Sequence, residues 1–191
     1  MNTTKKRSHS KVYLGIDPAS EGAAVALVNG AAVYAALWKK FRRKNKTYFE
    51  FREMNLASKR VKMRQAKRFS EIGLFISQCD FLKDKDISLS IEDAYFKPNA
   101  KTTIALSRLS GSIAAPIELH FDTDAKWVRA SEWRHKVLRL NPFTKREQAK
   151  HASLKFIPPL VPGISEIMYK LGRFDHLTDA AGVAYWAYQK K

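Results

Sequence analysis

The chain holds one cysteine, Cys79, no internal repeat, and no apolar run near the roughly 20 residues that a membrane-spanning helix needs. One cysteine cannot close an internal disulfide. A small disulfide-framed fold is therefore excluded, and a reducing compartment fits. Residues 1–10 are polar and basic and lack the apolar stretch of a secretory signal; they read as a disordered basic tail. Acidic residues are also scarce: 18 Asp and Glu stand against 35 Lys and Arg, a formal net charge of +17. Such a charge repels itself in the free protein, and the usual partner that offsets it is a polyanion, nucleic acid before an anionic membrane. Charge alone names no chemistry, and a basic domain that binds without catalysing carries it equally well.

What is present is enough apolar sequence, 45%, for one compact domain over residues 11–191. Residues 12–17 (VYLGID) read as a buried strand that ends in a carboxylate before Pro18. Residues 22–28 form a second strand, Asn29-Gly30 is the two-residue signal of a type I′ hairpin, and residues 31–38 return antiparallel. Residues 47–54 (TYFEFREM) alternate like a further strand. Ala66, Phe69, Ile72, Phe75, Ile76 and Cys79 recur at helical spacing, which predicts an amphipathic helix within residues 56–79. Ile87, Leu89 and Ile91 alternate with Ser88, Ser90 and Glu92, a half-buried strand with Glu92 on its other face.

A second helix follows over residues 102–115, then a short strand at Val128 and a short helix capped by Ser131 and running through Leu138. Asn141-Pro142 marks a turn, Thr144 with Glu147 makes a capping box for the next helix, and Pro158, Pro159 and Pro162 break the chain. Residues 175–188 form the last helix. This order predicts an α/β fold: a mixed central sheet, antiparallel in its opening hairpin and parallel afterwards, flanked by helices.

Between Trp38 and Arg68 cations are dense, among them Lys39, Lys40, Arg42 and Arg43, while the acids are Glu50 and Glu53. Trp38, Phe41, Tyr48, Phe49 and Phe51 are interleaved with them. The segment reads as a surface that tracks phosphates; the plainer reading is a solvated hairpin tip.

The chemistry rests on acids at the ends of elements. Tyr13, Gly15 and Asp17 share one strand face, and Val12, Leu14 and Ile16 the other. Glu92 closes a second strand in the same way. Two adjacent strands ending in carboxylates place two hard oxygen ligands together, and like charges brought together are costly unless a cation sits between them. Oxygen ligands suit Mg²⁺ or Mn²⁺. The last helix adds Asp175, His176 and Asp179, and either Asp175 or His176 can share a face with Asp179. A fourth ligand is open between them. Each acid taken singly also fits a helix cap or a surface position.

From about Lys11 to Tyr188 the chain resembles the RuvC family of Holliday-junction resolvases. Gly15-Ile16-Asp17-Pro18 is similar to the family's first strand and first catalytic aspartate. Glu92, Tyr95, Asn99, Leu106 and Gly111 follow the spacing of its second strand and next helix, and Asp175-His176-Leu177-Thr178-Asp179-Ala180 resembles its closing helix. The resemblance implies an RNase H-like fold, a homodimer, and cutting of opposed strands of a four-way junction with two Mg²⁺ ions per site, Mn²⁺ substituting. It makes Asp17, Glu92 and Asp179 metal ligands and His176 the fourth member, with Asp175 as a substitute. Tyr95 stands where the family has an aromatic residue near the junction bases, although packing at a strand end explains it equally. Arg134 and Lys145, eleven residues apart, fall where the family keeps two basic residues near the scissile phosphate. Two departures stand out: the basic segment at residues 38–46 is longer than the family's early hairpin, and residues 139–144 lack the glycines of the corresponding loop. Phage-encoded relatives vary in this way. Two other readings remain open, a nuclease of RNA–DNA hybrids on the same fold and a non-catalytic DNA-binding protein.

Overall fold

In the sheet, β1 (Lys11–Asp17) is the strand at which direction changes. It pairs antiparallel with β2 (Gly22–Val28) and parallel with β6 (Asp86–Glu92). The structure, a computed structural model, describes residues 10–93, 100–172 and 174–190, so the tail expected over residues 1–10 lies, apart from Ser10, outside the described residues. From β2 the chain continues as a meander through β3 (Ala31–Arg43), β4 (Lys46–Asn55) and β5 (Arg60–Ala66), each antiparallel to the last. A short β7 (Lys126–Val128) adds parallel to β6. The sheet order is β5-β4-β3-β2-β1-β6-β7, the mixed α/β arrangement expected from the element order.

Strand alternation divides the core in two. Val12, Leu14 and Ile16 point to one side with Tyr34, Trp38 and Phe51, where α1 (Phe69–Ser77) and α2 (Ala100–Phe121) cover them. Tyr13 points to the other side with Val25, Leu27 and Leu37. That side is covered by α3 (Ala130–Leu138), α4 (Arg146–Leu160), α5 (Ile164–Leu171) and α6 (Phe174–Tyr188). Among the described residues no helix is long and apolar enough to cross a membrane.

The seat of α6 on β1 depends on small residues. A Cβ at Gly15 would stand 2.3 Å from the Ala180 carbonyl oxygen and 2.4 Å from the Ala184 nitrogen, so only glycine admits the helix backbone this close. Ala180, Ala181 and Ala184 are fully buried in the contact.

The Asn29-Gly30 turn forms as expected, with both φ values positive at 51° and 80°. A second two-residue turn, Lys44-Asn45, also has both φ values positive, 48° and 59°, and lets β3 run five residues past the expected end at Trp38. It lacks the glycine that usually announces such a turn.

Several local expectations are corrected. The helix expected within residues 56–79 is α1, and the residues before it, 60–66, form β5, a strand that the sequence reading did not name. Only Phe69 onward keeps the helical period, and Val61 and Met63 alternate with Arg60, Lys62 and Arg64 in an edge strand laid against β4. Ser131 does not cap α3: Arg129, with extended backbone, is the cap residue and Ser131 lies inside the helix. The capping box at Thr144 and Glu147 does not form, because Thr144 Oγ1 instead donates to the Asn141 carbonyl at 2.6 Å and Lys145 takes the cap position. Pro158 and Pro159 sit in the last turn of α4 without breaking it; the carbonyls they leave without intrahelical donors belong to the exposed Leu154 and Lys155. The second helix runs on to Phe121 through Pro116. α5, between Pro162 and Gly172, had no side-chain cap to announce it.

Gly15→Ala is expected to destabilise the protein by about 1–3 kcal/mol or more, because the clash is with backbone. Gly111→Ala, where a Cβ meets nothing within 4 Å on α2, is expected to leave stability unchanged or raise it by up to about 1 kcal/mol. Thermal melts of the two variants, measured together, check both.

Candidate active site

Parallel pairing sets the first half of the site. Ile16 pairs with Ile91, so Asp17 and Glu92 come next in register and stand side by side at the carboxyl ends of two neighbouring strands. α6 packs across both strands and brings the buried Asp179 to the same place, one residue before the Ala180 that touches Gly15. Three acids from distant parts of the chain thus face one another at one end of the sheet.

Each acid has a donor from the protein. His176 Nδ1 lies 2.6 Å from Asp17 Oδ2. Trp133 Nε1 donates to Glu92 Oε2 at 2.8 Å, and Arg134 Nη2 donates to Asp179 Oδ2 at 2.9 Å. Both side chains of the Arg134–Asp179 pair are largely buried, 16% and 9% exposed, so water screens this pair little. The other oxygen of that aspartate, Asp179 Oδ1, is buried with no well-formed hydrogen bond among the described residues; the buried Ser153 hydroxyl is near enough to lower the Asp179 carboxyl but does not reach bonding geometry.

The electrostatics follow from that crowding. Burial, and after it the charges of Asp17 and Asp179, push the Glu92 carboxyl up to about 8. Burial raises Asp179 to about 6; the Arg134 charge opposes the rise and Asp17 adds to it. For His176 burial works downward, but the hydrogen bond and charge of Asp17, with Asp175 and Asp179, outweigh it and raise the imidazole above its ordinary value. Asp175 is held below the ordinary range: burial works upward and is outweighed by Lys150, whose Nζ lies 3.0 Å away, and by His176.

The residues singled out in the sequence divide accordingly. Asp17, Glu92, His176 and Asp179 come together. Asp175 turns to Lys150 on α4. Arg134 joins the site through Asp179, whereas Lys145 is exposed just before α4. Lys39, Lys40, Arg42 and Arg43 are exposed on β3. Tyr95 lies outside the described residues. Sequence reasoning missed Trp133 and Lys150. Trp133 is fully buried, and a Cβ on Gly182 would come within 2.4 Å of its ring, so α3 presses its indole between α6 and Glu92. A buried indole N–H needs an acceptor, which was the available signal.

The donor set fits a hard divalent cation: three carboxylates, mutual repulsion that a cation would relieve, and a buried oxygen without a well-formed hydrogen bond. Among the described residues, no three His, Cys, Asp or Glu side chains already stand in metal-holding positions. One oxygen of each carboxylate is turned to Trp133, Arg134 or His176.

Among the solved structures that share this architecture are two of RuvC. One is the Thermus thermophilus RuvC structure, 10% identical over 94% of this chain and 96% of that one, with a TM-score of 0.52. The other is T. thermophilus RuvC in complex with Holliday junction substrate, 10% identical over 94% of each chain, with a TM-score of 0.53. The chain has the RNase H-like fold of RuvC. No family model matches the sequence, and no curated protein does. At this identity the likeness to RuvC is one of fold, and the seven-stranded sheet flanked by helices carries it.

Because the folded protein holds the Glu92 proton up to about 8, against 4.5 ordinarily, the folded state binds more protons than the unfolded state between those values. The contribution of Glu92 to the stability of the metal-free protein is then fully present below about pH 4.5 and is lost as pH rises through about 8; the raised Asp179 and His176 act in the same direction, and the lowered Asp175 acts against them only at acid pH. Thermal midpoints are expected to drop between pH 5 and pH 8.5 in wild type, and to drop less in Glu92→Gln. Parallel pH curves for the two proteins would show that Glu92 is not titrating in this environment.

Proposed function

We propose that this protein is a divalent-metal-dependent endonuclease that cuts branched DNA, four-way junctions foremost. The observation that carries the reading is the meeting of Asp17, Glu92 and Asp179 at the end of the RuvC-type sheet, with Arg134 and His176 as their charged partners. T. thermophilus RuvC has been solved with Holliday junction substrate, and its fold is the one found here.

In this reading Asp17, Glu92, Asp179 and His176 hold Mg²⁺, with Mn²⁺ able to substitute. When bound, the metal ions supply an acidified water and charge stabilisation for phosphodiester hydrolysis. The protein's own residues do the rest. Trp133 fixes the orientation of Glu92 through one oxygen and leaves the other to face the site. Arg134 holds Asp179 and keeps a guanidinium beside the position that a scissile phosphate would take. His176 sets Nδ1 against Asp17 Oδ2 and would yield that contact to a cation held by Asp17. The exposed cations of the meander track the DNA backbone. Cutting opposed strands of a junction calls for two such sites, hence a homodimer, acting in the cytoplasm.

Asp17→Asn is expected to lower Mg²⁺-dependent nicking of a synthetic four-way junction by about 10³-fold, several kcal/mol of transition-state stabilisation, with junction binding retained. Cleavage by the variant at the wild-type rate would defeat the proposal. A stronger rate on an RNA–DNA hybrid offered alongside would move the assignment to another nuclease of this fold.

Binding to the junction without metal is expected to weaken steeply with salt, because counterion release drives it. Affinity that stays level between about 50 and 200 mM salt would count against the basic meander as the DNA surface.

A further inference from the structure

The β3–β4 hairpin overhangs the active-site end of the sheet. β2 pairs with β3 only as far as Gly22 opposite Trp38; beyond that point Lys39–Arg43 pair with β4 alone, Lys39 opposite Glu50 and Arg43 opposite Lys46. β5 still lines β4 at Glu50 and Phe49, so the last three rows, Phe41–Arg43 against Lys46–Tyr48, form a two-stranded ribbon that projects past every other strand, roughly 10 Å at ~3.3 Å per residue.

The register says which way this ribbon faces. Asp17 pairs with Ala23, Ala23 with Leu37, and Leu37 with Arg52, so these four residues lie in one row on one face of the sheet. Two-residue steps along β3 from Leu37 put Lys39, Phe41 and Arg43 on that same face; their partners there are Glu50, Tyr48 and Lys46. Lys40 and Arg42 point to the opposite face. On that side Phe49 is buried against Phe69, with ring centroids 4.3 Å apart.

On the active-site face Phe41 and Tyr48 stack on one another across the strands, ring centroids 5.6 Å apart and planes 24° apart. Both rings are only part-buried, and the cations around them, Lys39, Arg43 and Lys46, are exposed. The one acid on this stretch of the face, Glu50, is already paired with Arg52 at 2.6 Å. A flat aromatic surface rimmed by uncompensated positive charge matches a nucleotide strand with its bases out of the duplex: the rings take a base face and the cations take the flanking phosphates. Bases inside a duplex are stacked on their neighbours and offer no face.

We infer that the β3–β4 ribbon is a stacking arm: Phe41 and Tyr48 hold unpaired bases where a branched DNA opens, on the same face as Asp17, while Lys39, Arg43 and Lys46 hold the adjoining phosphates. This deepens the junction-nuclease reading and rests on it for the site beside which the arm stands. It also orders the four cations picked out on β3: Lys39 and Arg43 lie along the path to the active site, and Lys40 and Arg42 lie on the other side of the ribbon.

The test uses the full chain without metal, so that cleavage plays no part. Wild type and Phe41→Ala/Tyr48→Ala are titrated by fluorescence anisotropy against a junction with unpaired bases at its centre and against a linear duplex of the same length. The double variant is expected to lose about tenfold or more on the open junction and less than about twofold on the duplex. A 2-aminopurine at an unpaired position is expected to be quenched by wild type and not by the double variant. Phe41→Leu/Tyr48→Leu, which keeps apolar bulk on the hairpin, is expected to behave as the alanine pair does. Equal losses on both DNAs, or quenching that persists in both variants, would overturn the arm and make the ribbon a general duplex contact, such as one laid in the major groove. Nicking by wild type is scored separately with Mg²⁺. Stacking without nicking removes the nuclease reading and leaves the arm; nicking without stacking does the reverse.

Discussion

Three carboxylates held out of water and facing one another are the constraint around which this protein is arranged. Burial disfavours the charged forms of Glu92 and Asp179, and repulsion from the neighbouring carboxylates adds to it. Without a cation the chain supplies its own answers, a guanidinium on Asp179, an imidazole on Asp17 and an indole N–H on Glu92. Each comes from a helix on the same side of the sheet as the acids. One aspartate oxygen is nevertheless left without a well-formed hydrogen bond, so the site is charged, buried and incompletely satisfied. An arrangement of this kind is costly as mere structure, which is the physical reason for reading it as a place where something binds.

That arrangement exists only because α6 lies closer to the sheet than side chains ordinarily allow. Gly15 on β1 meets the backbone of α6 directly, and Gly182 on α6 makes room for the Trp133 ring from α3. The two glycines work in sequence: the first brings Asp179 and His176 down to Asp17, and the second brings the indole in beside Glu92. Packing and chemistry are therefore one problem here. A methyl group at either glycine would move an element that carries a site residue.

The sheet divides its labour along its width. From β2 to β6 it is roofed on both faces and carries the carboxylates. The end of the β3–β4 hairpin, Lys39–Arg43 with Lys46–Tyr48, extends past this roof as a basic, aromatic ribbon. The exposed cations there and the buried anions at the centre form one field, positive at the approach and negative at the destination. Such a field draws in a polyanion and reserves the centre for cations that accompany it.

Much of this could be read from residue order, because it is written in local periodicity. The short apolar run at residues 12–17 and the alternation at 87–92 pointed to two strands that each end in an acid, Asn29-Gly30 marked its hairpin, and the spacing of Asp175, His176 and Asp179 offered two pairs of candidate ligands on the last helix. The carboxylate partners were not legible. Choosing between His176 and Asp175 requires knowing that α4 brings Lys150 to Asp175 while α6 sets His176 over Asp17. Trp133 could not be assigned to Glu92, 41 residues earlier, until α3 had been packed. Residues 60–66 went unread as a strand, because the cations among them hide the alternation of an edge strand and the helical period was begun one step early, at Ala66, the last residue of β5. Lys44-Asn45, a turn without glycine, hid the length of the ribbon. Spacing between neighbours fixes which residues share a face; which faces meet is settled only when the chain packs, since burial and repulsion act between residues that the sequence keeps far apart.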